Sequence, residues 1–89
     1  MPHVKVPPPY QGPTQGHARV EVEGDTVGAC LASMSERYAG FGELIQDASG
    51  NVHKFVTLFI NGGEIDRTAL ETPVAADDEV EILAAIAGG

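Results

Sequence analysis

The sequence has one cysteine and no tryptophan among its 89 residues. A single cysteine excludes an internal disulfide framework and a cysteine-based zinc site, and it suits a reducing compartment. Basic residues are also scarce, since five lysines and arginines stand against 13 aspartates and glutamates, for a formal net charge of −8. A protein that binds nucleic-acid phosphates or an anionic membrane surface needs a basic surplus. The composition therefore predicts neither a nucleic-acid nor a membrane partner.

Long apolar runs are lacking as well. No stretch approaches the roughly 18 apolar residues of a membrane span, and the start of the sequence lacks the basic residues and apolar core of a signal peptide. Hydrophobic residues nevertheless make up 43% of the chain, which is ordinary for a globular protein and argues against disorder. We therefore expect one small acidic domain in the cytoplasm.

Alternating apolar and polar residues predict strands near both ends of this domain. Residues 3–6 and 18–23 alternate and are separated by a proline-rich loop, so that they can pair as a hairpin. Residues 79–83 alternate again and predict the last strand. Residues 55–60 are apolar on both faces, which predicts a central strand covered on much of each side.

A helix is predicted between the second and third strands. Asp25 or Thr26 can supply its N-cap, and Gly40 is a plausible C-terminal stop. Residues 41–45 add a further helical turn. The apolar residues that recur at helical spacing form one stripe, which consists of Val27, Cys30, Leu31, Met34 and Tyr38.

The order of these elements predicts the fold class. Asn61 and Gly62 predict a tight turn after the third strand, and a short strand follows around Ile65. Strand, strand, helix, strand, short strand and strand together predict an α+β domain with a mixed sheet packed on one main helix. A sheet that grips one helix in this order is the β-grasp, or ubiquitin-like, arrangement. We assign residues 1–83 to this domain and residues 84–89 to a flexible C-terminal tail.

Side-chain clusters that would carry catalysis are not evident in the sequence. Cys30 lies on the apolar stripe between Val27 and Leu31, which favours a small core side chain over a nucleophile. The three histidines are scattered without cysteine companions, so we expect no metal site. Residues 77–81 are rich in acids, and on an exposed turn and edge these carboxylates would be solvated.

The C-terminus is the feature for which a functional interpretation is favoured. Residues 84–89 carry no charge, contain only Ile86 as a bulky residue and finish on Gly88 and Gly89. Extended at about 3.3–3.6 Å per residue, this tail reaches roughly 20 Å. Glycine lacks a Cβ, so such a tail can enter a channel that is too narrow for other residues. The Gly89 carboxylate is then the reactive group that the tail delivers, and a frayed end is the alternative.

Four motifs in the second half of the chain point to a family. FING, LETPV, DEVEI and IAGG occupy residues 59–62, 70–74, 78–82 and 86–89. In their order and spacing they resemble the ThiS/MoaD family of ubiquitin-like sulfur carrier proteins. The resemblance extends from about Arg19 to the C-terminus. Members of the family often have Asp-Gly-Asp where this chain has two aspartates at 77–78, and they often have proline where this chain has Ala84 and Ala85.

The resemblance implies a mechanism. An E1-like adenylating enzyme of the MoeB/ThiF type would activate the Gly89 carboxylate with ATP, and a persulfide or sulfide would displace AMP to leave a thiocarboxylate. The sulfur would then pass to an acceptor enzyme. The carrier would perform no turnover and bind no cofactor, so it would not be an enzyme. Ile86, Ala87 and Gly88 would contact these partners together with Gly89.

The resemblance also suggests an order of pathways. The loop at residues 10–16 and the stretch at 41–55 resemble MoaD-like carriers of cysteine biosynthesis more than thiamin-type carriers. The acceptor would then be a PLP-dependent enzyme similar to cysteine synthase, and a metalloprotease would release the product. The large subunit of molybdopterin synthase is the next acceptor expected.

Two functions of other classes stay open. The activated Gly89 could be captured by a lysine of a target, which would make the chain a ubiquitin-like modifier. Alternatively, the acidic domain could be a non-catalytic interaction module. For the partner surface, Phe59 and Phe55 are candidates for an exposed apolar patch ringed by acids, and burial of both in the core is the alternative.

Overall fold

The computed structural model describes residues 1–84. These residues follow the predicted order of strands and helices, with a short 3-10 turn at Pro8–Tyr10 in the proline-rich loop. None of their helices is long and apolar enough to cross a membrane. The elements are β1 (His3–Lys5), β2 (Arg19–Glu21), α1 (Val27–Arg37), α2 (Phe41–Ile45), β3 (Val56–Ile60), β4 (Gly63–Ile65) and β5 (Glu79–Ala84).

The strands form one mixed sheet in the order β2-β1-β5-β3-β4. β1 and β2 pair antiparallel, as the hairpin prediction expected, while β1 runs parallel to β5 and β3 runs antiparallel to both of its neighbours. The middle strand of the five is therefore β5, whereas β3, for which a central position was predicted, is an inner strand next to it, between β5 and β4. β3 is apolar on both faces for another reason: Val56 and Leu58 are buried, whereas Phe59 on the other face stays partly exposed.

One face of the sheet and the apolar stripe of α1 share a single core. Val4 lies opposite both Val20 and Val80 across the strands, and Leu58 lies opposite Ile82. All five side chains are buried. Burying an aliphatic side chain of this size contributes about 1.5–3 kcal/mol, so the sheet is held to the helix mainly by these contacts. From the predicted stripe, α1 buries Val27, Cys30, Leu31 and Met34.

The ends of α1 differ in how well the sequence indicated them. Thr26 is the N-cap, and its hydroxyl accepts a hydrogen bond from the Ala29 N–H at 3.0 Å. The helix ends at Arg37, because Tyr38 is already extended. The prediction that Gly40 ends α1 is therefore wrong. Gly40 instead precedes α2, with a left-handed φ of +87°.

Candidate functional site

The last strand ends beside the beginning of β3. Ala84 pairs with Val56, the first residue of β3, so β5 extends one residue beyond its predicted end and takes Ala84 from the predicted tail. The described part of the chain therefore ends beside Val56, at the beginning of β3. Four predicted site residues belong to the remaining segment and lie outside the described residues, so their roles stay predictions: Ile86, Ala87, Gly88 and Gly89.

The outer face of the sheet, which is the face turned away from the core, is apolar near this exit. Leu83 lies directly opposite Thr57 and is 39% exposed, and Phe59 further along β3 is partly exposed. Phe55, just before β3, is 48% exposed and stacks on the His53 ring at a centroid distance of 4.9 Å. We call Phe55, Phe59 and Leu83 the apolar patch.

The exposure of Phe55 and Phe59 decides between the two interpretations that the sequence left open for them. Neither Phe55 nor Phe59 belongs to the buried core, so the alternative that both are core residues is wrong. Leu83 was missed in the sequence, although its alternation with Glu79 and Glu81 already placed it on their face of the last strand. A partner-binding role for Phe59 stays a prediction that this position allows.

Acidic side chains flank the patch. Phe59 lies directly opposite Glu81 on β5 and opposite Glu64 on β4, within the outer face. A partner that covers the patch would therefore meet carboxylates on both sides of the Phe59 ring. Such an arrangement favours a partner surface that is apolar in its centre and basic around it.

Two of the predicted edge acids lie in the middle of the sheet instead. Glu79 and Glu81 belong to β5, so the prediction of a solvated edge is wrong for them, because the parallel pairing of β1 with β5 encloses this strand. Glu81 forms an ion pair with Lys5 at 3.8 Å, and Glu79 forms one with Arg19 at 2.9 Å. All four side chains remain partly exposed, so each pair contributes at most about 1 kcal/mol.

The single thiol is not available for chemistry. Cys30 is fully buried, as its place on the helical stripe predicted. Burial, together with the nearby Asp25 carboxylate, raises the pKa of the thiol and so disfavours the reactive thiolate. Both observations disfavour Cys30 as a nucleophile or as a sulfur-carrying group.

Metal-binding side chains are not grouped in the described part of the chain. Among residues 1–84, no three histidines, cysteines, aspartates or glutamates come close enough to hold a metal ion. The site thus consists of an open apolar face and a point of chain exit, without a constellation of catalytic side chains in those residues.

The fold and the site together define a class. The fold is that of a ubiquitin-like β-grasp protein: a mixed sheet packs on one main helix and leaves its outer face open beside the end of the C-terminal strand. Comparison with known families narrows this class. The chain belongs to the ThiS family, whose family model matches residues 10–89.

Individual relatives agree with this assignment. The sulfur carrier protein CysO of Mycobacterium tuberculosis is 35% identical over an alignment that covers 97% of this chain and 96% of that protein. The crystal structure of M. tuberculosis CysO superposes with a TM-score of 0.87 at 31% identity, over 97% of this chain and all of that one. The fold of this chain is therefore that of CysO.

Two further solved structures share the fold. The Amycolatopsis orientalis BexX/CysO complex contains a chain with a TM-score of 0.89 and 28% identity, at full coverage of both chains. Small archaeal modifier protein 1 of Methanosarcina acetivorans has a TM-score of 0.85 over 99% of this chain and 95% of its own. At 23% identity, the second similarity concerns the fold alone.

Proposed function

We propose that this chain is a sulfur carrier of the cysteine type, which carries sulfur as a thiocarboxylate on Gly89. The observation that carries the proposal is the 35% identity to the sulfur carrier protein CysO across 97% of this chain, within the ThiS family. The buried state of Cys30 supports the terminal location, because the chain's single thiol is not exposed to a sulfur donor.

Loading requires two steps on an adenylating partner. A Gly89 carboxylate oxygen first attacks the α-phosphorus of ATP, which releases pyrophosphate and leaves an acyl adenylate. Sulfide then attacks the carbonyl carbon. The C–S bond forms, the C–O bond to AMP breaks, and a proton passes to solvent. The chain contributes only the carboxylate, so it is a co-substrate of its partners and not an enzyme.

The partners follow from the same proposal. An E1-like enzyme of the MoeB/ThiF type performs the adenylation in the cytoplasm, and ATP is its substrate. A PLP-dependent enzyme similar to cysteine synthase accepts the sulfur, and a metalloprotease releases the product from Gly89. The complex of a CysO protein with BexX supports the expectation that such a carrier docks on another protein. A molybdopterin synthase large subunit ranks second as acceptor, because the relatives above are CysO proteins.

The apolar patch is our candidate for the docking surface. Three large hydrophobic side chains are exposed in residues 1–84, and two of them, Phe55 and Leu83, lie beside the end of β5. A contiguous exposed apolar patch on a soluble protein marks an interaction site, and this is the role we propose for the apolar patch. A partner seated there would lie beside Ala84, which the C-terminal residues follow in the sequence.

The two other functions expected from the sequence are less well supported. A ubiquitin-like modifier would use the same activated Gly89 carbonyl, but the solved modifier protein resembles this chain in fold alone. An acidic interaction module would need no terminal glycine pair. Neither explains the identity to a sulfur carrier over nearly the whole chain.

Intact-mass measurement tests the proposal. The chain is incubated with the adenylating enzyme, ATP and sulfide, and we expect its mass to rise by the difference between sulfur and oxygen. Omission of ATP or deletion of Gly89 should abolish this rise. The absence of any rise with the complete mixture would contradict sulfur carriage.

Two controls separate the alternatives. Cys30→Ala should gain the same mass as the unmodified chain, because the buried thiol plays no part, and loss of the gain in this variant would place the sulfur on the thiol. Conjugates of higher mass that survive reducing denaturation and require Gly89 would favour the modifier function instead.

A further inference from the structure

The few cations of this acidic chain differ in their surroundings. Lys5 and Arg19 pair with glutamates of β5. Arg37, at the end of α1, donates a hydrogen bond of 3.0 Å to a β2 carbonyl oxygen and lies over an aromatic ring at 5.5 Å. Lys54 and Arg67 form no ion pair within residues 1–84. Neither side chain is held by a direct ion pair there, although Glu64 and Asp66 line an adjacent groove together with both of them.

Lys54 and Arg67 line the same cleft, which has a volume of about 340 Å³. It lies between the loop before β3 and the loop after β4, and Asn51, His53 and Thr68 also contribute polar groups to its wall. We call it the cationic cleft.

Two of the acids near the cleft, Asp47 and Asp66, accept local hydrogen bonds. Asp47 also lines its wall, but one of its carboxylate oxygens accepts the backbone N–H groups of Ser49 and Asn51 at 2.9 and 3.1 Å. Asp66, which precedes Arg67, accepts hydrogen bonds from the backbone N–H and the hydroxyl of Thr68. Neither carboxylate forms an ion pair with the two cations.

The topology places this cleft beside the exit of the chain. β4 runs antiparallel to β3, so the residues after Ile65 return along β3 towards its first residue, Val56. Ala84 flanks Val56 on the opposite side. His53 belongs to the cleft and stacks on Phe55 of the apolar patch, so the cleft and the patch adjoin each other.

We propose that the cationic cleft receives an acidic side chain of the adenylating enzyme while the apolar patch docks on that enzyme. The inference rests on the proposed function and adds the chemistry by which this partner is recognised. A guanidinium group binds a carboxylate through two parallel hydrogen bonds, and the lysine ammonium adds a compact second charge. Asn51 and Thr68 can donate further hydrogen bonds to the same group.

Because the whole molecule is acidic, this contact can distinguish the adenylating enzyme from other proteins with basic surfaces. At a net charge of −8, the chain is attracted by any strongly basic surface. A partner that also presents an acid at Lys54 and Arg67 would be distinguished from other basic proteins, because a basic group at that point is repelled. The cleft therefore acts in partner selection and in orientation of the docked chain.

Charge reversal with a matched control tests the inference. Lys54→Glu and Arg37→Glu each replace one positive by one negative charge, so both take the net charge from −8 to −10. Arg37 contacts β2, which lies at the opposite edge of the sheet from β4. We expect Lys54→Glu to weaken binding to the adenylating enzyme about tenfold and Arg37→Glu less than about twofold, as measured by surface plasmon resonance.

Further variants and salt sharpen the test. Arg67→Glu should repeat the effect of Lys54→Glu, and Lys54→Arg should bind like the unmodified chain. The difference between Lys54→Glu and Arg37→Glu should shrink as salt rises, because the screening length falls from about 30 Å at 0.01 M to about 3 Å at 1 M. Circular dichroism should show the same fold for all variants, since Lys54 and Arg37 are exposed and Arg67 is partly exposed.

Three results would overturn the inference. Equal binding of Lys54→Glu and Arg37→Glu would show that only net charge matters, and tighter binding of Lys54→Glu would indicate a basic contact. Shifts of the Lys54 and Arg67 amide signals that saturate with inorganic phosphate alone, at concentrations below a millimolar, would identify a free-anion site instead. If the unmodified chain gains no sulfur with the enzyme, the proposed function fails. A chain that gains sulfur while Lys54→Glu matches Arg37→Glu contradicts only the role of the cleft.

Discussion

Tyr10 carries the one buried polar side-chain atom that has no hydrogen-bond partner within residues 1–84. Tyr10 is only 6% exposed, and burial raises the pKa of its hydroxyl. A buried hydroxyl without a partner loses its hydrogen bonds to water on folding, at a cost of about 1–3 kcal/mol. The ring itself belongs to the hydrophobic core, so the loop after the prolines is held down by the aromatic part of this side chain.

Removal of this hydroxyl should stabilise the protein. We expect Tyr10→Phe to raise the free energy of unfolding by about 1 kcal/mol, because the ring keeps its contacts while the unpaired oxygen is lost. Urea unfolding measures the change. Tyr38→Phe is the matched control, and it should change the stability little because Tyr38 is partly exposed. A destabilised Tyr10→Phe would show that the hydroxyl is hydrogen-bonded in the folded protein.

Single residues were predictable where their spacing carried the information. The helical stripe placed Cys30 in the core, and the structure confirms this. Alternation placed Leu83 on the face of Glu79 and Glu81, but the roles of Leu83 and Lys54 depend on which strand lies beside them, which spacing does not show. Their importance comes from the pairing of Ala84 with Val56, which no local pattern specifies.

At the scale of elements, the turn between β3 and β4 could be predicted from two adjacent residues alone. Asn61 and Gly62 both have a positive φ, of 50° and 86°, as the Asn-Gly pair predicted for a two-residue hairpin turn. The Asn61 amide also joins this turn to β5. It donates to the Asp78 carboxylate at 2.8 Å and accepts from the Glu79 backbone N–H at 2.9 Å.

The Asp78 carboxylate should make stability depend on pH. Hydrogen bonds from the Ala75 backbone N–H and from the Asn61 side chain lower its pKa below the ordinary 3.8. A lowered folded-state pKa means that the carboxylate stabilises the fold above pH 3.8, and that this contribution is lost as the pH falls through the folded-state pKa. We therefore expect Asp78→Asn to lower the thermal midpoint at neutral pH and to approach the unmodified chain in strong acid.

The neighbouring acid provides the control for this prediction. Asp77 is exposed, and its carboxylate makes no hydrogen bond within residues 1–84, so Asp77→Asn should leave the thermal midpoint nearly unchanged. Thermal unfolding followed by circular dichroism between neutral and acidic pH measures both variants. Equal midpoints for Asp78→Asn and Asp77→Asn at every pH would contradict the role of the turn network.

Element positions were less predictable than element types. Residues 55–60 and 79–83 were both expected as strands, but hydrophobicity alone suggested that the first was central. The middle strand is instead β5, which has two strands on each side, whereas β3 is an inner strand between β5 and β4. Its outer-face glutamates are compensated by cations from β1 and β2, and the sequence of β5 does not reveal these contacts.

At the scale of the whole molecule, the apolar patch should bind the partner without stabilising the monomer. Leu83→Asp places a charge in the centre of the proposed interface, and we expect binding to the adenylating enzyme to weaken at least about tenfold, or by about 1.4 kcal/mol. The thermal midpoint should change little, because Leu83 is already 39% exposed. Surface plasmon resonance and thermal unfolding measure the two effects.

A matched variant separates the effect of disrupting the apolar patch from the effect of the added negative charge. Ala32→Asp adds the same charge on the exposed side of α1, away from the outer face of the sheet. It should bind nearly like the unmodified chain. Equal losses in Leu83→Asp and Ala32→Asp would exclude the outer face as the docking surface and leave the acidic charge as the attraction.

The sequence by itself determined the element types, the helical core stripe, the tight turn and the family, because each depends on residues close together along the chain or on motifs in order. It also directed attention to Gly89 as the reactive group. Only the tertiary structure decided that β5 is central, that Phe55, Phe59 and Leu83 form one patch, and that Lys54 and Arg67 share a cleft beside it. The physical reason is that strand order and register bring together residues far apart in sequence, and backbone hydrogen bonds between strands carry no sequence signature of their partner.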